Sequence, residues 1–196
     1  MLAKNNTELI SVEAYLKYEL NSPTKHELID GIMYAMAGAS ANHGRLSGNL
    51  FGEFRNHLKG SPCEPFGSDM KLKVNNNFFY PDVMVDCRFD NTTPYFTETP
   101  IIIVEVLSKT TRKTDETLKL MAYINIPSLQ EYVIIEQDIV DVQVLRRNEG
   151  WISRHYFLGD NVTFESIDLT LPVEEIYSRV QNEDMAEFLN NQAGGQ

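Results

Sequence analysis

Apolar positions recur along this chain with two distinct periods. Val12, Tyr15, Leu16 and Leu20 recur at i, i+3, i+4 and i+8, and Leu46, Leu50, Phe54 and Leu58 fall four apart, the spacing that lines one face of a helix. Ser11 is placed to cap the first helix, with Glu13 in its first turn, and Pro23 marks its end. Gly60 and Pro62 stop the second. Elsewhere the apolar residues alternate or run together. Met70, Leu72 and Val74 alternate with Lys71 and Lys73, which predicts a half-exposed strand, and Asn75-Asn76-Asn77 turns the chain into Tyr80-Pro81-Asp82-Val83-Met84-Val85 as its expected antiparallel neighbour. Ile101 to Leu107 and Glu131 to Ile135 read as buried strands. Glu27-Leu28-Ile29 and Ile32 to Met36 flank Asp30-Gly31, a dipeptide suited to a tight hairpin because Gly accepts positive φ. Thr114, Asp115 and Glu116 open a helix expected to carry Leu118, Met121 and Ala122 on its apolar face. That helix would link the Ile101 to Leu107 strand to the Glu131 strand by a right-handed crossover. Val140 to Leu145 and Trp151 to Phe157 form a hairpin around Asn148-Glu149-Gly150, and Val173 to Tyr177 is a short helix.

These elements predict an α/β fold with a mixed central sheet flanked by helices. With 196 residues, 42% of them hydrophobic, the chain can build one sizeable core, and no Pro/Gly/Ser-rich stretch divides it. One domain is expected over residues 1–180, followed by a C-terminal helix and a disordered tail over 181–196, frayed from Asn190 onward. The net charge of -11 works against affinity for phosphates, but the segment Lys71 to Lys119 holds seven basic and seven acidic residues, so the surplus lies elsewhere. Cys63 and Cys87 have no metal-ligand spacing and are expected to be free thiols in a reducing compartment. The polar start, without a signal-peptide core, and the absence of any apolar run near the ~20 residues that span a bilayer predict a soluble, cytoplasmic protein with no membrane partner.

Candidate chemistry centres on Asp82 and Glu105. A lone carboxylate in a buried strand costs several kcal/mol, roughly, to desolvate, so two of them twenty-three positions apart point to a shared divalent cation. The bland alternatives are a solvated strand end or an ion pair with Arg112 or Lys119.

His26-Glu27-Leu28-Ile29-Asp30-Gly31, Tyr80-Pro81-Asp82-Val83, Val104-Glu105-Val106-Leu107-Ser108, Thr111, Asp115, Lys119, Tyr123 and Glu131-Tyr132 occur in an order that resembles the Uma family (Uma-two) of restriction-endonuclease-like proteins, within the PD-(D/E)XK nuclease superfamily. The resemblance covers roughly Ser11 to Tyr177. It implies a restriction-endonuclease-like fold and an Mg²⁺-dependent endonuclease acting on DNA, with Mn²⁺ as a substitute. Asp82 and Glu105 would be metal ligands, the Val106 carbonyl would complete the protein's share of the shell, and Glu27 would stand near the metal. Many nucleases of this fold cut as dimers, so a homodimer is expected. Such chemistry makes physical sense, because a cation held by carboxylates supplies both a nucleophilic water and charge compensation at phosphorus.

One departure matters. The superfamily places Lys two residues after the second acid, where this chain has Leu107. Lys119 is the expected replacement, since Asp115, Lys119 and Tyr123 form one polar stripe at i, i+4 and i+8. Asp115 also serves as an ordinary first-turn acid, and Lys119 as its partner. Lys109, Arg112, Lys113 and Ser108, with Thr110 and Thr111, are candidates for phosphate positioning, and Lys71 and Lys73 join them if they face the groove. His43 stands just before the long helix, where the Uma family often has His; the resemblance would bring it toward a substrate, while a polar helix start is the commoner reason for such a residue. Trp151 and Phe78-Phe79-Tyr80 read as packing. Leu107 and the acidic surface also suit a second reading, a catalytically weak module that keeps the fold for nucleic-acid or protein binding. A two-carboxylate glycosidase is disfavoured by the single Trp.

Overall fold

The computed structural model describes residues 9–107 and 114–194. Ser11 caps α1 (Val12–Glu19) by accepting from the Ala14 amide. The hairpin of β1 (His26–Ile29) and β2 (Ile32–Ala35) turns on Asp30 and Gly31, both at positive φ, 50° and 79°. Ser40 caps the long α2 (Ala41–His57), which buries Leu46, Leu50 and Phe54. Five short strands follow: β3 (Glu64–Gly67), β4 (Lys71–Val74), β5 (Asn77–Phe79), β6 (Val83–Asp86) and β7 (Phe96–Thr97). β8 (Pro100–Leu107) is the longest. After it come a π-helical turn (Thr114–Lys119) that runs into α3 (Leu120–Tyr123), then β9 (Glu131–Glu136), β10 (Val142–Arg146), β11 (Ser153–Tyr156), β12 (Asn161–Phe164), β13 (Leu169–Pro172), α4 (Val173–Ile176) and α5 (Glu183–Gly194).

The fold is α/β with mixed strands flanked by helices, and the strands divide between two large sheets. One has the order β2-β1-β5-β4-β7 and the other β11-β10-β9-β8-β6-β3, with β12 and β13 as a separate hairpin. Three apolar clusters separate the layers. Leu46, Leu50 and Phe54 of α2 pack with Val83, Val104, Val133 and Val144 on one face of the six-stranded sheet. Met84, Ile103, Leu107 and Tyr132 on its other face meet Ile29, Leu72 and Phe79 of the five-stranded sheet, and Tyr123 joins them. Leu28 and Phe78, on the outer face of the five-stranded sheet, pack on Tyr15 of α1. The layers therefore run helix, sheet, sheet, helix. β8 and β9 pair in parallel across the helical connection, as the crossover requires.

The structure corrects the sequence reading in four places. β4 pairs with β5, and the chain then leaves that sheet through Tyr80-Pro81-Asp82, so the strand after Asp82 lies in the other sheet between β3 and β8. The helical segment after β8 is turned inside out: Leu118 and Met121 are 39% and 65% exposed, whereas Lys119 and Tyr123 are buried. Buried acids on the facing strands draw the polar stripe inward. Cys63 and Cys87 form a disulfide rather than standing as free thiols. The register that sets Glu64 opposite Asp86 places the next residue on each strand, Cys63 and Cys87, side by side, which removes free thiols as an argument for a reducing compartment. Finally, α5 stays helical past Asn190 to Gly194. No helix among the described residues is long and apolar enough to cross a membrane.

Candidate active site

Four elements deliver the expected site residues to one place. Glu27 comes from β1 in the five-stranded sheet, Glu105 from β8 in the six-stranded sheet, Asp82 from the segment that crosses between the two sheets, and Lys119 from the end of the π-helical turn. Strand alternation explains the inward aim of the glutamates. Glu27 shares a face with Ile29, and Glu105 shares one with Ile103 and Leu107, so both project between the sheets.

Lys119 Nζ lies 3.1 Å from Glu27 Oε1 and 3.1 Å from Glu105 Oε1. All three side chains are nearly withdrawn from water, at 6%, 11% and 4% exposure. An ammonium so placed offsets the cost of burying both carboxylates. Tyr123 donates its hydroxyl to the same Glu105 Oε1 at 2.9 Å, and the Tyr80 amide donates to Glu27 Oε1 at 3.2 Å. Burial pushes the Tyr123 phenol well above the ordinary tyrosine range, and the charges of Glu105 and Glu27 push it further, so it remains a donor.

Asp82 is held differently. Its Oδ2 accepts from the Val106 amide at 2.7 Å and lies 3.2 Å from His43 Nε2. The structure thus ties Val106 to Asp82 through its N–H group. His43 reaches Asp82 because the Ser40 cap fixes the first turn of α2, accepting from the His43 amide at 3.1 Å. Ser40 Oγ also donates to Gln137 at 2.5 Å, and Gln137 donates to the Leu107 carbonyl at 2.7 Å, which binds the start of α2 to the end of β8. Leu107 itself is buried in the apolar cluster between the sheets, so the position where the superfamily has Lys is used for packing here.

The donor set suits a hard divalent cation: carboxylate oxygens from three separate elements. Glu27 Oε2 and Asp82 Oδ1 accept no hydrogen bond from the described residues. Among the described residues, no three His, Cys, Asp or Glu side chains stand close enough to hold a metal ion between them. Lys119 occupies the space between Glu27 and Glu105.

Other expected residues fall elsewhere. Lys73 is opposite Phe78, and Phe78 is opposite Leu28, so Lys71 and Lys73 lie on the α1 face of the sheet, away from Glu27. Lys73 pairs with Glu98 at 2.7 Å. The Lys71 ammonium sits 5.4 Å from the Tyr80 ring centre and 6.0 Å from that of Tyr95, and burial lowers its pKa. Neither lines the groove. Ser108, Lys109, Thr110, Thr111, Arg112 and Lys113 lie outside the described residues, and for Asp115 only the backbone is described. Trp151 packs at the edge of the inter-sheet cluster beneath Arg147.

The sequence reading did not assign His43 to Asp82 or a role to Tyr123. Tyr123 was visible in the polar stripe, since it stands four residues after Lys119. Nothing local in the sequence pointed from His43 to Asp82.

Comparison with known proteins bears on the family and the fold. Two uncharacterized proteins of Synechocystis sp. are 36% and 33% identical to the chain over 173 and 172 residues, covering 86% and 84% of it and 91% and 97% of their own lengths. A crystal structure described as a putative nuclease belonging to DUF820, from Anabaena variabilis, superposes with a TM-score of 0.74 over 88% of this chain and 99% of that one, at 17% identity, and so shares its fold. The family model described as "Putative restriction endonuclease" matches residues 12–174, and the chain accordingly belongs to the Uma2 family.

Proposed function

We propose that the protein is a metal-dependent endonuclease that hydrolyses phosphodiester bonds of DNA, with its lysine supplied from a helix in place of the usual strand position. The observation that carries this reading is the placement of Lys119 Nζ at 3.1 Å from both Glu27 and Glu105. Asp82 and Glu105 would hold Mg²⁺, or Mn²⁺ in its place, with the Val106 carbonyl as a further ligand and Glu27 beside them. Bound there, the cation would lower the pKa of a water and offset the charge that develops on phosphorus.

The chain's own residues have defined tasks in this reading. The Val106 amide and His43 hold Asp82, and Tyr123 holds Glu105, so neither carboxylate must reorient as substrate arrives. Lys119 keeps a positive charge next to the attacked phosphate and orients the water. Hydrolysis then forms a bond from the water oxygen to phosphorus and breaks the bond to the leaving oxygen, which carries away the electron pair and takes a proton. Ser108, Lys109, Arg112 and Lys113 are assigned to flanking phosphates. A homodimer would bring two such sites to the two strands of a duplex.

One observation favours the alternative of a binding module that has lost catalysis: Lys119 is already neutralised by two acids. Plasmid nicking at low salt with Mg²⁺ or Mn²⁺, with an EDTA control and with Asp82→Ala and Lys119→Ala, separates the two. Metal-dependent nicking lost in both variants supports the nuclease. No nicking, together with no Mg²⁺ or Mn²⁺ binding by calorimetry, leaves the module.

A further inference from the structure

β2 is an edge strand, and its register with β1 sets Tyr34 directly opposite Glu27. Directly opposed residues of an antiparallel pair project to the same face, so the Tyr34 side chain stands beside Glu27 on the face that meets Lys119. The neighbouring pair confirms the alternation, because Met33 and Leu28 pack with Tyr15 on the opposite face. The Tyr34 side chain is 49% exposed and makes no hydrogen bond or ring contact with the described residues. Other exposed tyrosines are occupied: Tyr18 meets the His26 ring edge-on at 5.5 Å, and Tyr95 lies near the Lys71 ammonium. Tyr34 is thus an uncommitted aromatic face at the rim of the site.

The charge balance says what such a face is for. At a net charge of -11 the protein lacks a general electrostatic attraction to nucleic acid, and affinity must come to a greater extent from non-ionic contacts. Stacking of a base on an aromatic ring is such a contact, and it requires a base that is not already stacked in a duplex. We propose that Tyr34 is a substrate-contact residue whose ring stacks on an unpaired base next to the phosphate held beside Lys119, giving a preference for single-stranded over duplex DNA. The inference rests on the nuclease reading above and ranks the forms of DNA that the site takes.

The test is fluorescence anisotropy with a labelled deoxyoligonucleotide, single-stranded or annealed to its complement, with Ca²⁺ in place of Mg²⁺ to hold off cleavage. Wild type is expected to bind the single strand more tightly. Tyr34→Ala should weaken single-strand binding about tenfold or more and erase the preference. Tyr34→Leu keeps the apolar strand edge without a π face and should behave likewise, whereas Tyr34→Phe should match wild type. Single-strand binding by Tyr34→Ala and Tyr34→Leu equal to wild type overturns the proposal, as does a Tyr34→Phe variant that falls with them. Wild type that nicks plasmid yet binds duplex at least as tightly as single strand overturns this proposal alone. Wild type that neither nicks nor binds either form removes it together with the nuclease reading.

Discussion

Tyr123 and Glu105 are joined by a 2.9 Å hydrogen bond from phenol to carboxylate, and both side chains are closed off from solvent. Tyr123 thereby belongs to two systems at once. Its ring packs edge-on against Phe79 and Tyr132 between the sheets, and its oxygen fixes an acid of the candidate site. Tyr123→Phe keeps the ring and strips one donor from a buried carboxylate. The unfolding free energy should fall by about 1.5–3 kcal/mol, read as a lower urea midpoint with an unchanged m-value, and any nuclease activity should fall with it.

Alkaline pH offers a second check. Burial raises the phenols of Tyr15, Tyr80, Tyr123 and Tyr177 above the usual range, with nearby acids adding to the shift. A phenol whose pKa is raised on folding contributes stability that is fully present below its unfolded value of about 10 and is lost as pH rises toward its folded value. Stability should therefore decline above roughly pH 10, with each such phenol adding up to about 1.4 kcal/mol per pH unit to the slope. Absorbance titration of phenolate should show these four of the nine tyrosines ionising only as the chain unfolds.

Lys119→Met leaves Glu27 and Glu105 facing each other without their shared ammonium. Removal of one partner from a buried ion network costs about 3–5 kcal/mol. The variant should be less stable than wild type in EDTA by that order, and Mg²⁺ should raise its urea midpoint more than that of wild type, because the added cation replaces the missing charge. An equal response of the two proteins to Mg²⁺ would count against a cation site at these acids.

The bond between Cys63 and Cys87 is directly testable by thiol titration of the unfolded, unreduced protein. No reactive thiol is expected before treatment with a phosphine reductant and two after it. The bridge spans 24 positions, so its reduction should lower stability by about 3 kcal/mol.

How much of this could be read from the sequence depended on how local its cause was. The Asp30-Gly31 hairpin and the α2 stripe of Leu46, Leu50 and Phe54 were legible because a turn or one helix face decides them. Glu105 stood out because an acid interrupts a continuous apolar run, and Lys119 was reachable by counting along one helix. The sheet to which each strand belongs was not legible. β5 and β6 are separated by only three residues, and nothing in Tyr80-Pro81-Asp82 reveals that the chain changes sheets there. The exposed Leu118 and Met121 mislead for a related reason. Periodicity reports which residues share a face, while the buried acids on distant strands decide which face turns inward. The Cys63–Cys87 bond, the β12–β13 hairpin, the His43–Asp82 contact and the place of Tyr34 beside Glu27 likewise depend on registers or packing between segments remote in sequence.

The crossing at Tyr80-Pro81-Asp82 gives the site a particular history within each molecule. Glu27 is built into one sheet and Glu105 into the other, with Asp82 on the span between them, so no half of the chain holds the constellation by itself. A chain still emerging from the ribosome, with β1 to β7 made and β8 to come, has neither the second acid nor the lysine. The arrangement exists only once the sheets have closed on each other, so whatever chemistry it performs is withheld from nascent and misfolded copies, and its appearance during refolding would mark the docking of the two sheets.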